Sequence, residues 1–161
     1  MPSFDVVNKL DLQEIDNAIG NATREITNRY DFKGSDTSII RKENDLTVVT
    51  EDELKLNQVH DLIITHLVRR KIDPLCLSKK NIEKAGGNKI RQFYKFIEGI
   101  EQSIAKQITA EVKKSKIKAQ VKINGNELRV DGKKKDDLQT LIQMIENLNI
   151  GIPVQFVNFR D

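Results

Sequence analysis

Apolar positions recur at two periods along this chain, every second residue in short stretches and every third or fourth in longer ones. The short stretches at 4–9, 37–42 and 45–50 predict strands. Between the first two, Leu12, Ile15, Ala18, Ile19, Ala22 and Ile26 fall on one helical face, opened by a capping pair of Asp11 and Glu14. Leu56, Val59, Leu62, Ile63, His66 and Leu67 define a second helix, with Thr50 and Glu53 as its capping pair. The same succession then returns: strand 89–97, helix 100–113, strands 118–123 and 127–131, helix 133–148 and strand 153–159. An Asn124-Gly125 turn is expected to pair Val121 with Leu128 and Ala119 with Val130.

This succession is a repeat with an offset of 82 residues. Asn44, Asp45, Leu46 and Val48 map onto Asn126, Glu127, Leu128 and Val130. Leu56, Val59, Leu62 and Ile63 map onto Leu138, Leu141, Met144 and Ile145, and Ala18, Ala22 and Ile26 onto Ile100, Ile104 and Ile108. The order β-α-β-β-α-β is the ferredoxin-like arrangement, an α+β fold present here twice in tandem. Its sheet has one face free of helices. Phe4 and Val6 against Val7, Ile90, Tyr94 and Phe96 against Phe93 and Ile97, and Val154 and Phe156 against Val157 and Phe159 are apolar on both sides. Such strands predict sheets that face each other, with a binding cleft or interface between the domains. Residues 78–88, polar and ending in Ala85-Gly86-Gly87-Asn88, are expected to be a linker loop.

Composition narrows the function classes. Among 161 residues, 32% are charged and 38% hydrophobic, and no stretch approaches the roughly 20 apolar residues of a membrane span. With one cysteine, Cys76, and no basic-then-apolar leader pattern, a cytoplasmic location is expected. The net charge of +3 is uneven: residues 1–88 carry 13 basic and 15 acidic groups, 89–161 carry 14 and 9. Lys113, Lys114, Lys116, Lys118, Lys122, Arg129, Lys133, Lys134 and Lys135 form a basic face at 113–135, a footprint for RNA or a solvated surface.

Catalytic patterns are not found. His60 and His66 are six apart on one helix and so on different faces, and Cys76 after Pro74 reads as a packing residue. No Walker loop, dinucleotide fingerprint or RNP1 signature occurs, and neither a cofactor, a metal nor an enzyme activity is expected. The aromatics instead cluster beside basic or amide residues: Tyr30 and Phe32 with Arg29 and Lys33, Phe93, Tyr94 and Phe96 with Arg91 and Gln92, Phe156 and Phe159 with Asn158 and Arg160. Rings stack on bases and guanidinium groups fork onto phosphates. Phe4, Arg29, Tyr30, Phe32, Lys33, Arg91, Phe159 and Arg160 are therefore candidate nucleotide contacts, or else core rings with cations at their rim.

The chain resembles the YajQ family of bacterial proteins. The resemblance rests on Pro2-Ser3-Phe4-Asp5-Val6-Val7, Asp11-Leu12-Gln13-Glu14, Asp16-Asn17-Ala18 and Arg29-Tyr30-Asp31-Phe32-Lys33-Gly34-Ser35. It continues through Arg91-Gln92, Asn124-Gly125-Asn126, residues 132–139 and the ending Gln155-Phe156-Val157-Asn158-Phe159-Arg160-Asp161. It implies exchange of the first strands, giving a first domain of 11–80 plus 89–97 and a second of 1–10 plus 98–161. It also implies binding of nucleotides or a cyclic dinucleotide such as cyclic di-GMP, RNA or tRNA association, and a transcription regulator as partner. Three readings stand: a non-enzymatic nucleotide-binding protein that responds to cyclic di-GMP, an RNA-binding protein using 113–135, and a protein-interaction adaptor. None involves a membrane.

Overall fold

The computed structural model describes residues 1–161 as two four-stranded antiparallel sheets and four helices. The chain divides into a first unit, Leu10–Ile97, and a second unit, Met1–Lys9 with Glu98–Asp161. The first contains α1 (Leu12–Asn28), β2 (Ser38–Lys42), β3 (Asp45–Thr50), α2 (Glu53–Arg69), β4 (Leu77–Ala85) and β5 (Lys89–Phe96). The second contains β1 (Ser3–Val7), α3 (Gln102–Lys114), β6 (Ala119–Asn124), β7 (Glu127–Gly132), α4 (Lys135–Glu146) and β8 (Gln155–Arg160). No helix is long and apolar enough to cross a membrane.

Both sheets have one topology. Their strand orders are β2-β3-β5-β4 and β6-β7-β1-β8, so β5 and β1 hold equivalent central places. The helix next after each of them in the chain belongs to the other unit, which is the exchange the resemblance implied. The first core joins Ile15, Ala18, Ala22 and Ile26 of α1 with Val59, Ile63 and Leu67 of α2 over Leu46, Val48, Tyr94 and Phe96. The second joins Ala105, Ile108 and Val112 of α3 with Leu138, Leu141 and Ile145 of α4 over Phe4, Val6, Leu128 and Val130.

Asp11 caps α1 as expected, its carboxylate accepting from the Glu14 amide at 3.2 Å. The cap of α2 is Asp52 rather than Thr50, accepting from the Lys55 amide at 2.8 Å. Thr50 is buried, and its hydroxyl is engaged with Thr37 and Glu51.

Three further expectations are corrected. Residues 78–88 are not a linker, because Leu77–Ala85 is an edge strand joined to β5 by a turn at Gly86-Gly87-Asn88. Its polar residues suit an edge exposed to water. A register shift between Lys79 and Ile82 breaks its alternation, and the Gln92 amide donates to the Lys80 and Asn81 carbonyls there. The β6–β7 turn lies one residue later, on Gly125-Asn126, so that Val121 faces Val130 and Ala119 faces Gly132. Both registers bury the same face, since they differ by two residues. Finally, the offset of 82 holds for the hairpin and α2, but the buried Ala105, Ile108 and Val112 stand 86 residues beyond Ile19, Ala22 and Ile26. The difference is about one helical turn.

Candidate functional site: a basic sheet end with an aromatic cavity

The second unit gathers its cations through topology. Ala119 pairs with Gly132, Ser3 pairs with both Asp131 and Arg160, and the Gly132 amide donates to the Pro2 carbonyl at 3.1 Å. One end of the sheet therefore holds the starts of β6 and β1 and the ends of β7 and β8. The α3–β6 and β7–α4 connections sit at that same end. They bring Lys113, Lys114, Lys116, Lys118, Lys133, Lys134 and Lys135 alongside Arg160, with Asp131, Asp136, Asp137 and Asp161 as the acids in the same segments. The junction is close-packed at Gly132, where a Cβ would stand 3.2 Å from the Lys118 carbonyl oxygen and 3.3 Å from Leu138 Cδ2.

Two members of the expected basic face have other places. Lys122 and Arg129 pair across β6 and β7, further along the strands. Arg129 is tied to Asp5, its Nε donating to Oδ1 at 3.0 Å, while Asn158 Nδ2 donates to Oδ2 at 2.8 Å. Burial pushes the Asp5 carboxyl up, but these two bonds and the charge of Arg129 outweigh it and hold the group below its ordinary value.

Asn158 shapes the site. It has φ 55°, and the pairing of β1 with β8 slips between Ser3 and Asp5, so Asn158 is the extra residue of a β-bulge. Asn tolerates this left-handed conformation better than most residues. The bulge turns Phe159 onto the side of the sheet already occupied by Phe156. Both rings meet Phe4, at 5.9 Å for Phe156 and 6.1 Å for Phe159. The expectation that Phe156 and Phe159 face opposite ways is thereby corrected: strict alternation fails at the bulge. Phe4 is fully buried, whereas Phe159 remains 60% exposed.

Beside Phe159 lies a cavity of about 270 Å³ between β1, the end of β8 and the first turns of α4. Phe4 and Phe159 form one wall, and Leu138, Gln139 and Ile142 of α4 form the other. Lys135, Arg160 and Asp161 supply the charges of its lining. Phe4, Phe159, Arg160 and Lys135 were legible as candidates, but Gln139 and Ile142 were missed. Their signal is helical spacing, since Lys135, Leu138, Gln139 and Ile142 follow the i, i+3, i+4, i+7 pattern.

The other candidates lie in the first unit, mostly in one tightly bonded loop. After α1 the chain makes a short 3₁₀ turn, Tyr30–Phe32. Arg29 forks onto Asp31 at 2.9 and 2.7 Å and reaches Glu25 at 3.3 Å. Its guanidinium also lies 5.7 Å from the Phe32 ring centre, and the Lys55 ammonium lies 4.7 Å from it. Lys55 donates to the Asp31 carbonyl, and His66 bonds Glu25 at 2.8 Å.

Glu51 closes the loop, accepting from Ser35 at 2.8 Å, the Asp36 amide at 2.7 Å and Thr50 at 2.9 Å. Burial raises its carboxyl, and the bonds overcome this to bring it down to about 2. Phe32 is buried and Arg29 is engaged, so neither offers a free ring or fork. Tyr30, 88% exposed, and the exposed Lys33 are the outward residues. Arg91 stands on β5, paired with Glu83 of β4 at 2.6 Å.

Neither histidine nor the cysteine joins these groups. His60 stacks on Tyr94, with Nδ1 3.0 Å from the hydroxyl. Burial lowers the His60 imidazole and pushes the Tyr94 phenol up to about 12. Cys76 is buried in the first core, and that burial raises its thiol to about 11.

Residues 2–160 match the family described as "Nucleotide-binding protein YajQ-like". A protein of Pelagibacter ubique named a nucleotide-binding protein is 55% identical over the whole of both chains. Similarly named proteins of Paramagnetospirillum magneticum and Parvibaculum lavamentivorans are each 49% identical, again over the full length of both. A match across nearly every residue, at identities near one half, places this chain in the YajQ-like family.

Proposed function

We propose that the second unit binds a nucleotide, with the base against Phe159 and the phosphate held by Lys135 and Arg160, with Lys133 and Lys134 beside them. The observation that carries this reading is the bulge at Asn158, which sets an exposed ring over a cavity bordered by two cations. The relatives' naming as nucleotide-binding proteins supports it. So does size. At about 270 Å³ the cavity is slightly below the roughly 300–1,000 Å³ of sites for drug-sized ligands, which suits one base and not a whole dinucleotide. A cyclic dinucleotide such as cyclic di-GMP would seat one base there and leave the rest outside.

Calorimetric titration with nucleotides and cyclic di-GMP tests this assignment. Stacking worth about 1–3 kcal/mol predicts that Phe159→Ala weakens binding about 5- to 150-fold. Flat heats at sub-millimolar ligand, or unchanged affinity in Phe159→Ala, reject it. Among the first-unit candidates, Arg29, Phe32 and Arg91 are assigned to holding their own unit, and Tyr30 and Lys33 receive no phosphate role.

A second reading, RNA, is favoured by one observation: the lysines at 113–118 extend the basic end beyond what one phosphate needs. Each neutralised phosphate releases counterions, so RNA affinity should fall steeply with salt. Binding of tRNA that ignores salt, or that survives Lys113/Lys114/Lys116/Lys118→Ala unchanged, counts against it.

A further inference from the structure

An anion already stands at the edge of the cavity. Asp161, the residue after β8, places Oδ1 2.5 Å from Lys135 Nζ, and both residues line the cavity with Arg160. The hydrogen bond and charge of Lys135 hold the Asp161 carboxyl below its ordinary value, so it is ionised at neutral pH. Within the run Lys133-Lys134-Lys135, only the residue lining the cavity has an acidic partner. Resting on the nucleotide reading above, we infer that Asp161 is an internal competitor of the ligand's phosphate. Its carboxylate occupies the Lys135 ammonium in the free protein and is displaced when a phosphate arrives.

The chemistry of exchange is direct. Carboxylate and phosphate are both oxyanions that accept from an ammonium donor, and one Lys135 Nζ held by Asp161 has fewer donors left for a ligand. Both side chains are well exposed, 67% for Lys135 and 85% for Asp161, so the pair is held in water and opens readily. Exposed pairs are weak, which makes Asp161 an attenuator and not a plug. Displacing it costs the ligand about two- to fivefold in affinity. Asp136, the next residue after Lys135, makes no ion pair and provides the control for simple charge removal at the same helix end.

The test is titration of a fluorescent ATP analogue into the full chain and its Asp161→Asn, Asp136→Asn, Lys135→Gln and Lys135→Gln/Asp161→Asn variants. Asp161→Asn should bind about two- to fivefold tighter than the natural sequence, and Asp136→Asn should change less. With Lys135 replaced, the added Asp161→Asn substitution should have no further effect. Equal affinity of Asp161→Asn and the natural sequence removes the competitor while leaving the nucleotide site standing. An equal gain in Asp136→Asn also removes it, as does a gain that persists without Lys135. If neither the natural sequence nor Asp161→Asn binds the analogue, the nucleotide reading itself falls and the competitor falls with it.

Discussion

The two copies of this fold differ most in the connection between their first helix and the next strand. In the first unit, residues 29–37 connect α1 to β2 with most of their charges bonded and only Lys33 left outward: Arg29 holds Asp31 and Glu25, Lys55 caps the Asp31 carbonyl, and Glu51 gathers Ser35, Asp36 and Thr50. In the second, residues 115–118 join α3 to β6 with lysines exposed at 116 and 118. One scaffold thus treats cations in two ways. Where carboxylates meet them, they fix a loop. Where few do, they leave a positive field that a phosphate can enter.

The sharpest way to break this contrast is Arg29→Ala. Losing this two-pronged clamp should lower the midpoint of urea unfolding and leave nucleotide affinity unchanged. A large loss of affinity would move the ligand to the first unit. Asn158→Val tests the other side: a β-branched residue resists the left-handed bulge, Phe159 swings off the cavity, and affinity should fall about tenfold, or about 1.4 kcal/mol.

The acid response of the first unit should be confined to low pH. Glu51 sits at about 2 in the folded chain against an ordinary 4.5, so its stabilisation is complete above 4.5 and lost as pH falls from there through about 2. Glu51→Gln should be less stable at neutral pH and show a shallower decline across that window. An unchanged acid-unfolding curve would remove Glu51 from the loop's support. The smallest effect belongs to Lys133/Lys134→Ala, about two- to fourfold weaker nucleotide binding at low salt and less at high salt, where exposed charges are screened.

Much of this architecture was legible because burial imposes a period. The α1 and α2 faces and the hairpin-plus-helix offset of 82 follow from apolar spacing, and the Asp11 cap from the polar pair it forms with Glu14. The strand at 77–85 was not legible, because an edge strand meets water and its bulge near Lys79 erases alternation. Nor was the direction of Phe159, since the bulge at Asn158 is held by a tertiary bond to Asp5, 153 residues away in the chain. The charge at 113–135 was visible as composition. That Arg129 is bound to Asp5, while Arg160 joins the lysines, depends on strand pairing that spacing alone does not specify.

The swapped central strands bear on how the molecule is made. Leu10–Ile97 is contiguous and has all four strands of its sheet once Phe96 is synthesised. The opening segment must wait, because Asp5 has its neighbours at Arg129 and Val157. At roughly 5–20 residues per second, translation leaves Phe4 and Val6 without their final shelter for on the order of 10 seconds. An early stop in translation after Ile97 would leave that opening strand without β7 and β8, the two strands that flank it in the sheet.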